Sequence, residues 1–118
     1  MMGCRIQHDV EGELDVIRFD GALDTQSFPR LENIFKHLIE EQRHRIILDF
    51  STLDYINSAS LGALIGFARK VREQDGGDLK LAGLSSKIAG IVNLLGFDKI
   101  LKLYDRVDDA VEDFSQTA

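Results

Sequence analysis

Three polar residues, Asn57, Ser58 and Ser60, gather where a predicted loop enters a predicted helix. Two roles suit such a cluster. An Asn or Ser before the first turn caps the helix by accepting a hydrogen bond from a free backbone N–H group, which is worth about 1 kcal/mol. A serine there can also be a phosphorylation switch. A helix N-terminus tolerates a phosphate, whose charge of about −1.5 to −2 would expel a docked partner. One cap accounts for one polar residue, and from the residues alone both roles stay open.

The other chemically capable residues form no enzymatic constellation. His8, His37 and His44 share no metal-ligand spacing. Cys4 is the one cysteine, so neither a thiolate metal site nor an internal disulfide is expected. Nucleophile-elbow and phosphate-loop motifs are absent. Asp49 ends a predicted central strand, as a receiver domain's phosphoacceptor does, but the acidic pair that a receiver needs is missing. We therefore expect a binding module that is not an enzyme and uses no cofactor or metal.

Hydrophobic periodicity predicts alternating strands and helices that position these residues. The predicted strands cover 4–9, 14–19, 45–50, 79–82 and 100–104, with a loop over 51–57. The predicted helices begin near 25–27, run from 58 to 73, follow a cap at Ser85 or Ser86, and follow a cap at Asp105. The order β-β-α-β-α-β-α-β-α indicates an α/β fold, a mixed but mostly parallel sheet packed against helices. We expect a single domain over residues 1–118, with its core at about 4–115.

Two helices carry more specific expectations. Gly62 and Gly66 lie one turn apart in the second helix, where each costs about 1 kcal/mol relative to alanine. We expect a close neighbour there as compensation. The third helix should end at Gly96 and point four apolar residues inward, namely Ile88, Ile91, Val92 and Leu95.

Composition indicates which partners and which cellular compartment to expect. The chain has 118 residues and a net charge of −6, and it lacks the basic stripe that a phosphate backbone requires. We therefore expect no nucleic-acid partner. No apolar run approaches the length of about 18 residues that a spanning helix needs, so no membrane insertion is expected. A single cysteine suits a reducing compartment, which favours the cytoplasm.

Three segments resemble the STAS domain of bacterial anti-sigma-factor antagonists. The run LDFSTLDYINSASLGALIG, residues 48–66, is similar to that family's apolar strand ending L-D-[LF]-S, followed by a loop and by D-S-[ST]-G-L-G opening a helix. Gly21–Asp24 resembles the family's G-x-L-D. Residues 76–105 resemble its G-G-x-L-x-[LV] strand and the helix ending L-x-x-x-G-[LF]. These matches cover nearly the whole chain in the family's order.

The resemblance implies a partner and a switch. Such antagonists bind an anti-sigma factor that is also a serine kinase, and so release a sigma factor. Phosphorylation within D-S-[ST]-G-L-G ends the interaction, and a phosphatase reverses it. With Leu61-Gly62 fixing the register, Asn57 falls on the motif's Asp, Ser58 on its first Ser, Ala59 on its [ST] and Ser60 on its Gly.

This chain departs from the motif at the third position, where Ala59 has no hydroxyl to phosphorylate. The candidate acceptors are therefore Ser58 and Ser60. The alternative is a constitutive STAS scaffold or transporter-associated subunit without a switch. Asp24 matches an Asp beside the family's partner-binding surface, although it can equally cap a helix. The predicted contact residues are Asp24, Asn57, Ser58, Ser60 and Leu61; the sigma factor and the oligomeric state stay open.

Overall fold

The computed structural model describes residues 3–116. Its elements are β1 (Cys4–Glu11), β2 (Leu14–Leu23), α1 (Phe28–Glu40), β3 (Arg45–Ile56), α2 (Ser58–Arg72), β4 (Asp78–Ala82), α3 (Ser86–Leu94), β5 (Lys102–Tyr104) and α4 (Val107–Gln116). A 3-10 turn over Phe97–Lys99 joins α3 to β5. The predicted order of strands and helices is confirmed.

The five strands form one sheet in the order β1-β2-β3-β4-β5. β1 and β2 make an antiparallel hairpin, which turns at Gly12 with a φ of 61°. Every later neighbour is parallel, and a helix connects each parallel pair. The sheet is therefore mixed but mostly parallel, as predicted. Its parallel strands end at one common edge, and the connections to α1, α2 and α3 begin there.

Helices cover both faces of the sheet. The larger apolar cluster joins α1, α2 and α3 to one face, with Ile17, Phe19, Ile46 and Leu48 among its buried residues. The smaller cluster packs α4 on the other face through Val16, Ile47, Ala82, Ala110 and Phe114. β3 lies between the two layers, which explains the nearly continuous apolar run in its first half.

The two strands that lead to the polar cluster are longer than predicted. The predicted loop over 51–57 is wrong for most of its length, because β3 continues to Ile56. β2 likewise runs on to Leu23. Two register shifts, one between Arg18 and Asp20 and one between Gly21 and Ala22, accommodate the long parallel pairing.

The helix boundaries follow the capping signals closely. α1 begins at Phe28, just after the predicted start. Ser85 caps α3 by accepting a hydrogen bond from the N–H group of Ile88 at 3.2 Å, and Gly96 stops the helix with a φ of 76°. Leu95 is 43% exposed, so its predicted inward position is wrong. It lies beyond the last helical residue, where the helical period no longer applies.

The glycines of α2 contradict the expectation of close packing. Gly62 and Gly66 are exposed, and a Cβ built on either meets nothing within 4 Å among the described residues outside the helix itself. Their helical cost is therefore not offset by packing inside this domain.

Asp49 lies on the sheet face opposite α1, α2 and α3. It is buried, and it accepts hydrogen bonds from the hydroxyl and N–H groups of Ser51 at 2.6 and 3.0 Å and from Arg18 at 3.0 Å. Burial acts to raise the pKa of Asp49, but these donors outweigh it and the pKa is lowered. The carboxylate is thus held charged by its own fold.

Candidate functional site

The extended ends of β2 and β3 bring two separate segments of the sequence together. The Asn57 N–H group donates to the carbonyl oxygen of Leu23 at 3.2 Å. The Asn57 side-chain amide lies 3.4 Å from the Thr25 hydroxyl oxygen and donates to it. The turn that contains Asp24 therefore lies beside the N-terminus of α2, as the predicted contact surface requires.

Asn57 is the cap of α2. Its backbone is extended, with φ −90° and ψ 164°, and its side-chain Oδ1 accepts a hydrogen bond from the N–H group of Ser60 at 2.8 Å. Its carbonyl oxygen accepts the first helical bond, from Leu61, at 3.1 Å. The capping role proposed from the sequence thus falls to Asn57, and Ser58 and Ser60 are left without it.

Asp24 organises the turn before α1. Its Oδ1 accepts hydrogen bonds from the N–H groups of Gln26 at 3.0 Å and Ser27 at 3.1 Å, and from the Ser27 hydroxyl at 3.1 Å. The N–H group of Asp24 donates back to the Ser27 oxygen at 2.9 Å. The backbone N–H of Ser27 is the largest influence that lowers the pKa of Asp24. The carboxylate therefore shapes the surface and remains anionic at neutral pH.

The candidate residues on α2 differ in exposure. Ser58 and Ala59 are exposed in the first turn, whereas Ser60 is only 3% exposed. Leu61 is fully buried in the larger apolar cluster. Ser58 is therefore accessible from solvent, whereas Ser60 and Leu61 are buried beneath the surface.

An apolar depression next to this surface was not predicted as part of the site. It has a volume of about 280 Å³ and is lined by Thr25, Phe28, Pro29, Glu32, Ala59 and Ser60. The sequence signal was present in the apolar pair Phe28-Pro29 at the start of α1. Only the spatial neighbourhood of α1 and α2 shows that this pair borders Ala59.

The described histidines do not gather into a metal-binding group. His8 contacts Asp15 at 2.6 Å and His37 contacts Glu41 at 2.7 Å, so these two histidines belong to separate ion pairs. Within residues 3–116, no three His, Cys, Asp or Glu side chains are grouped to hold a metal ion. None of the described helices is long and apolar enough to cross a membrane.

Sequence comparison finds relatives among regulatory proteins. The STAS domain model matches residues 5–110. The anti-sigma-B factor antagonist of Staphylococcus epidermidis is 21% identical over 100 residues, which cover 85% of this chain and 92% of that protein.

Structural comparison gives the same fold. An anti-sigma factor antagonist from Mycobacterium paratuberculosis superposes with a TM-score of 0.86 at 18% identity, over 96% of this chain and 95% of that one. The Bacillus cell fate determinant SpoIIAA in its phosphorylated form gives 0.71 at 21% identity, over 92% and 98%. A sulfate transporter family protein from Wolinella succinogenes gives 0.76 at 23% identity, over 92% and 90%. Because the STAS domain model matches most of this chain, the chain belongs to the STAS domain family.

Proposed function

We propose that this protein is an anti-sigma-factor antagonist. It binds an anti-sigma factor of the serine-kinase type through the surface formed by Asp24, Asn57 and Ser58 and the adjoining depression, and it thereby releases a sigma factor. Phosphorylation of Ser58 ends the interaction, and a serine phosphatase restores it. This function places the protein in the cytoplasm and requires no catalysis by the chain itself.

The observation that carries the proposal is the exposed Ser58 hydroxyl beside a helix cap that is already occupied by Asn57. A phosphate on Ser58 would lie at the positive end of the α2 dipole and leave the cap intact, so the fold tolerates it. SpoIIAA shares this fold in its phosphorylated form. Docking is affected much more, since a doubly charged group would have to lose its water against a partner that fits a neutral hydroxyl.

Ser58 is favoured over Ser60 by exposure. Ser60 is 3% exposed and its N–H group is engaged by Asn57, so a kinase would need to open the first turn of α2 to reach its hydroxyl. Modification at Ser60 stays a prediction, and the experiment below distinguishes the two residues.

The test is incubation with a serine-kinase anti-sigma factor and ATP, followed by mass spectrometry of the intact chain and its peptides. One phosphate on Ser58 is expected. Ser58→Ala should bind normally and take up none, whereas Ser60→Ala, the matched control, should still be modified. Ser58→Asp should weaken partner binding by roughly thirtyfold, which corresponds to a loss of ~2 kcal/mol at an interface centre. An unmodified wild-type chain that binds the partner would remove the switch from the proposal.

The contribution of Asp24 can be separated from its role in the turn. Asp24→Asn keeps an oxygen that can accept the bonds from Gln26 and Ser27 but removes the charge. Asp24→Lys reverses the charge and removes that oxygen. If the charge contacts the partner, both variants should bind more weakly while circular dichroism stays unchanged. Unaltered affinity in a titration of Asp24→Asn would remove the charge from the contact.

A second candidate function keeps the fold and dispenses with the switch: a constitutive scaffold or a transporter-associated subunit. Two observations favour it. Ala59 removes one of the motif's hydroxyl groups, and a sulfate transporter family protein shares the fold. This function predicts stable binding to its partner with no phosphate uptake, which is the opposite outcome of the experiment with kinase and ATP.

A further inference from the structure

β1 is an edge strand whose outer side is covered only near its first residue, where Arg30 contacts Cys4 among the described residues. It has 8 residues and pairs with β2 in a continuous register without a bulge. It contains neither proline nor lysine. The opposite edge is protected in the usual way, because β5 has 3 residues and begins with the exposed Lys102. The two edges of one sheet therefore differ, and the long, regular one is open to another strand.

The hairpin geometry identifies the backbone groups that point outward. The N–H group of Ala22 donates to the carbonyl oxygen of Gly3 at 3.0 Å, so the backbone groups of Gly3 face β2. Facing alternates along a strand in an antiparallel pair. The N–H and C=O groups of Cys4, Ile6, His8 and Val10 consequently point away from β2. In the described structure Arg30 donates to the Cys4 carbonyl oxygen.

The charges along β1 complement those of a second, antiparallel copy. If Gln7 lies opposite Gln7 of the second copy, Arg5 lies opposite Asp9 of that copy, and Asp9 opposite its Arg5. All three side chains are exposed on the sheet face that α1, α2 and α3 leave uncovered. Among the described residues, neither Arg5 nor Asp9 forms an ion pair, although Arg5 lies across the hairpin from Asp20. Opposite charges directly across two strands stabilise the pair, and like charges destabilise it.

We propose that two copies of this chain associate through β1 to form a twofold dimer with one continuous sheet of ten strands. The same register brings Val10 opposite Cys4 of the second copy. Val10 is an apolar residue that is 60% exposed in the single chain. Pairing would reduce that exposure and satisfy the outward backbone groups.

The dimer leaves the candidate partner site free. Cys4 pairs with Gly21 near the end of β2, close to the turn that holds Asp24, whereas Glu11 lies at the other end of the hairpin. An antiparallel pair of β1 strands therefore directs the two Ser58 surfaces toward opposite ends of the assembly. Each dimer would present two separate partner sites.

The test is sedimentation of the full chain over a micromolar concentration series, with charge reversals at the edge. The wild-type chain should approach twice its mass of 13.2 kDa. Arg5→Asp and Asp9→Arg should each weaken the dimer at least tenfold, since each creates two like-charge pairs. An equimolar mixture of the two variants should regain the dimer, because both cross-strand pairs are then opposite in charge. Circular dichroism checks that each variant is folded.

A cysteine at position 7 tests the register. Gln7 lies opposite itself in a non-hydrogen-bonded pair, where Cα atoms are about 4.5 Å apart and a disulfide fits. Gln7→Cys should give a covalent dimer on mild oxidation, and Glu11→Cys, the matched control, should not. A wild-type chain that stays at 13.2 kDa throughout the series overturns the proposal. So does a dimer that both charge reversals leave unchanged, or a mixture of the two variants that stays monomeric.

Discussion

Removing the carboxylate of Asp113 should destabilise the protein much more than removing its partner Lys80. Lys80 projects from β4 under α4, with its side chain 2% exposed, and its Nζ lies 2.6 Å from Asp113 Oδ2. The ammonium also lies 4.0 Å from the centroid of the Phe114 ring. Asp113 is 34% exposed and also accepts a hydrogen bond from the Tyr104 hydroxyl. The two partners therefore differ sharply in their access to water.

This difference in solvent access determines how much stability each substitution should cost. Asp113→Ala leaves a buried ammonium without a counter-charge, and breaking a buried pair in this way costs about 3–5 kcal/mol. We expect the low end, about 3 kcal/mol, because water reaches the Asp113 side of the pair. Lys80→Met replaces the buried charge with an apolar chain of similar shape, and it leaves the carboxylate with water and Tyr104. Its cost should stay within about 1 kcal/mol. The double variant should resemble Lys80→Met, since the unpaired charge is gone.

The assay is urea unfolding at pH 7, followed by circular dichroism, with thermal unfolding alongside. At about 4 °C per kcal/mol for a domain of this size, Asp113→Ala should lower Tm by roughly 12 °C. Glu112→Ala is the matched control, since it removes an exposed carboxylate from the adjacent position of α4. Tyr104→Phe measures the separate loss of the hydroxyl contact, expected at about 1 kcal/mol.

The pH dependence gives an independent check. The Lys80 ammonium and then the Tyr104 hydroxyl lower the pKa of Asp113 below its unfolded value. Its contribution is therefore present above the unfolded pKa, and it is lost as pH falls through the folded pKa, below about pH 4. Wild type and Asp113→Ala should converge there. Equal losses for Lys80→Met and Asp113→Ala at pH 7, or a gap between wild type and Asp113→Ala that persists in acid, would refute the reasoning.

Three further predictions concern single positions, two in the sheet and one in α2. Asp49→Asn should cost about 2 kcal/mol, since its charged hydrogen bonds are weakened. Because the pKa of Asp49 is lowered in the folded protein, the wild type should lose stability as the pH falls below about 4. The variant lacks this carboxylate, so its free energy of unfolding should fall less over the same pH range, as measured by urea unfolding at several pH values. Gly21→Ala should cost at least about 2 kcal/mol, since Gly21 has a φ of 111° and a Cβ would collide with the backbone of Gly3. Its counterpart Gly62→Ala should gain about 1 kcal/mol, because its Cβ meets nothing; a loss at Gly62 would mean that the exposed glycine serves the fold.

Periodicity was enough to predict the order of elements, because each helix carries an apolar stripe and each strand is bounded by turn residues. It failed at residues 51–56, where β3 continues through Ser51, Thr52 and Asp54. These three side chains are exposed, so the segment lacks the apolar signal of a buried strand. Its pairing with the end of β2 is a long-range interaction that no local pattern contains.

Local sequence patterns also predict the candidate site only in part. The sequence identified Asn57 and Asp24 as capping candidates, since both are residue types that favour helix starts and turns. Which of them caps a helix could not be predicted, because Asp24 and Asn57 lie at the ends of two strands whose registers are set by the whole sheet. The difference in burial between Ser58 and Ser60 could not be predicted either, because it depends on which face of α2 packs against the rest of the fold. Residues two positions apart on a helix are separated by about 200° around its axis, so Ser58 is exposed while Ser60 is buried.

The contacts that hold the site rigid would limit how a phosphate on Ser58, as proposed above, could act. Asn57 is fixed by four hydrogen bonds, with Leu23, Thr25, Ser60 and Leu61. Leu61 anchors the first turn of α2 in the core. With the backbone held in this way, a phosphate on Ser58 has no loose segment to reorder within the cap. The phosphate would act through the negative charge that it adds to the surface beside the Asp24 carboxylate. The repulsion between the phosphate and Asp24 would depend on ionic strength, because both charges are exposed, whereas the cost of removing water from the phosphate at the interface would depend on it little.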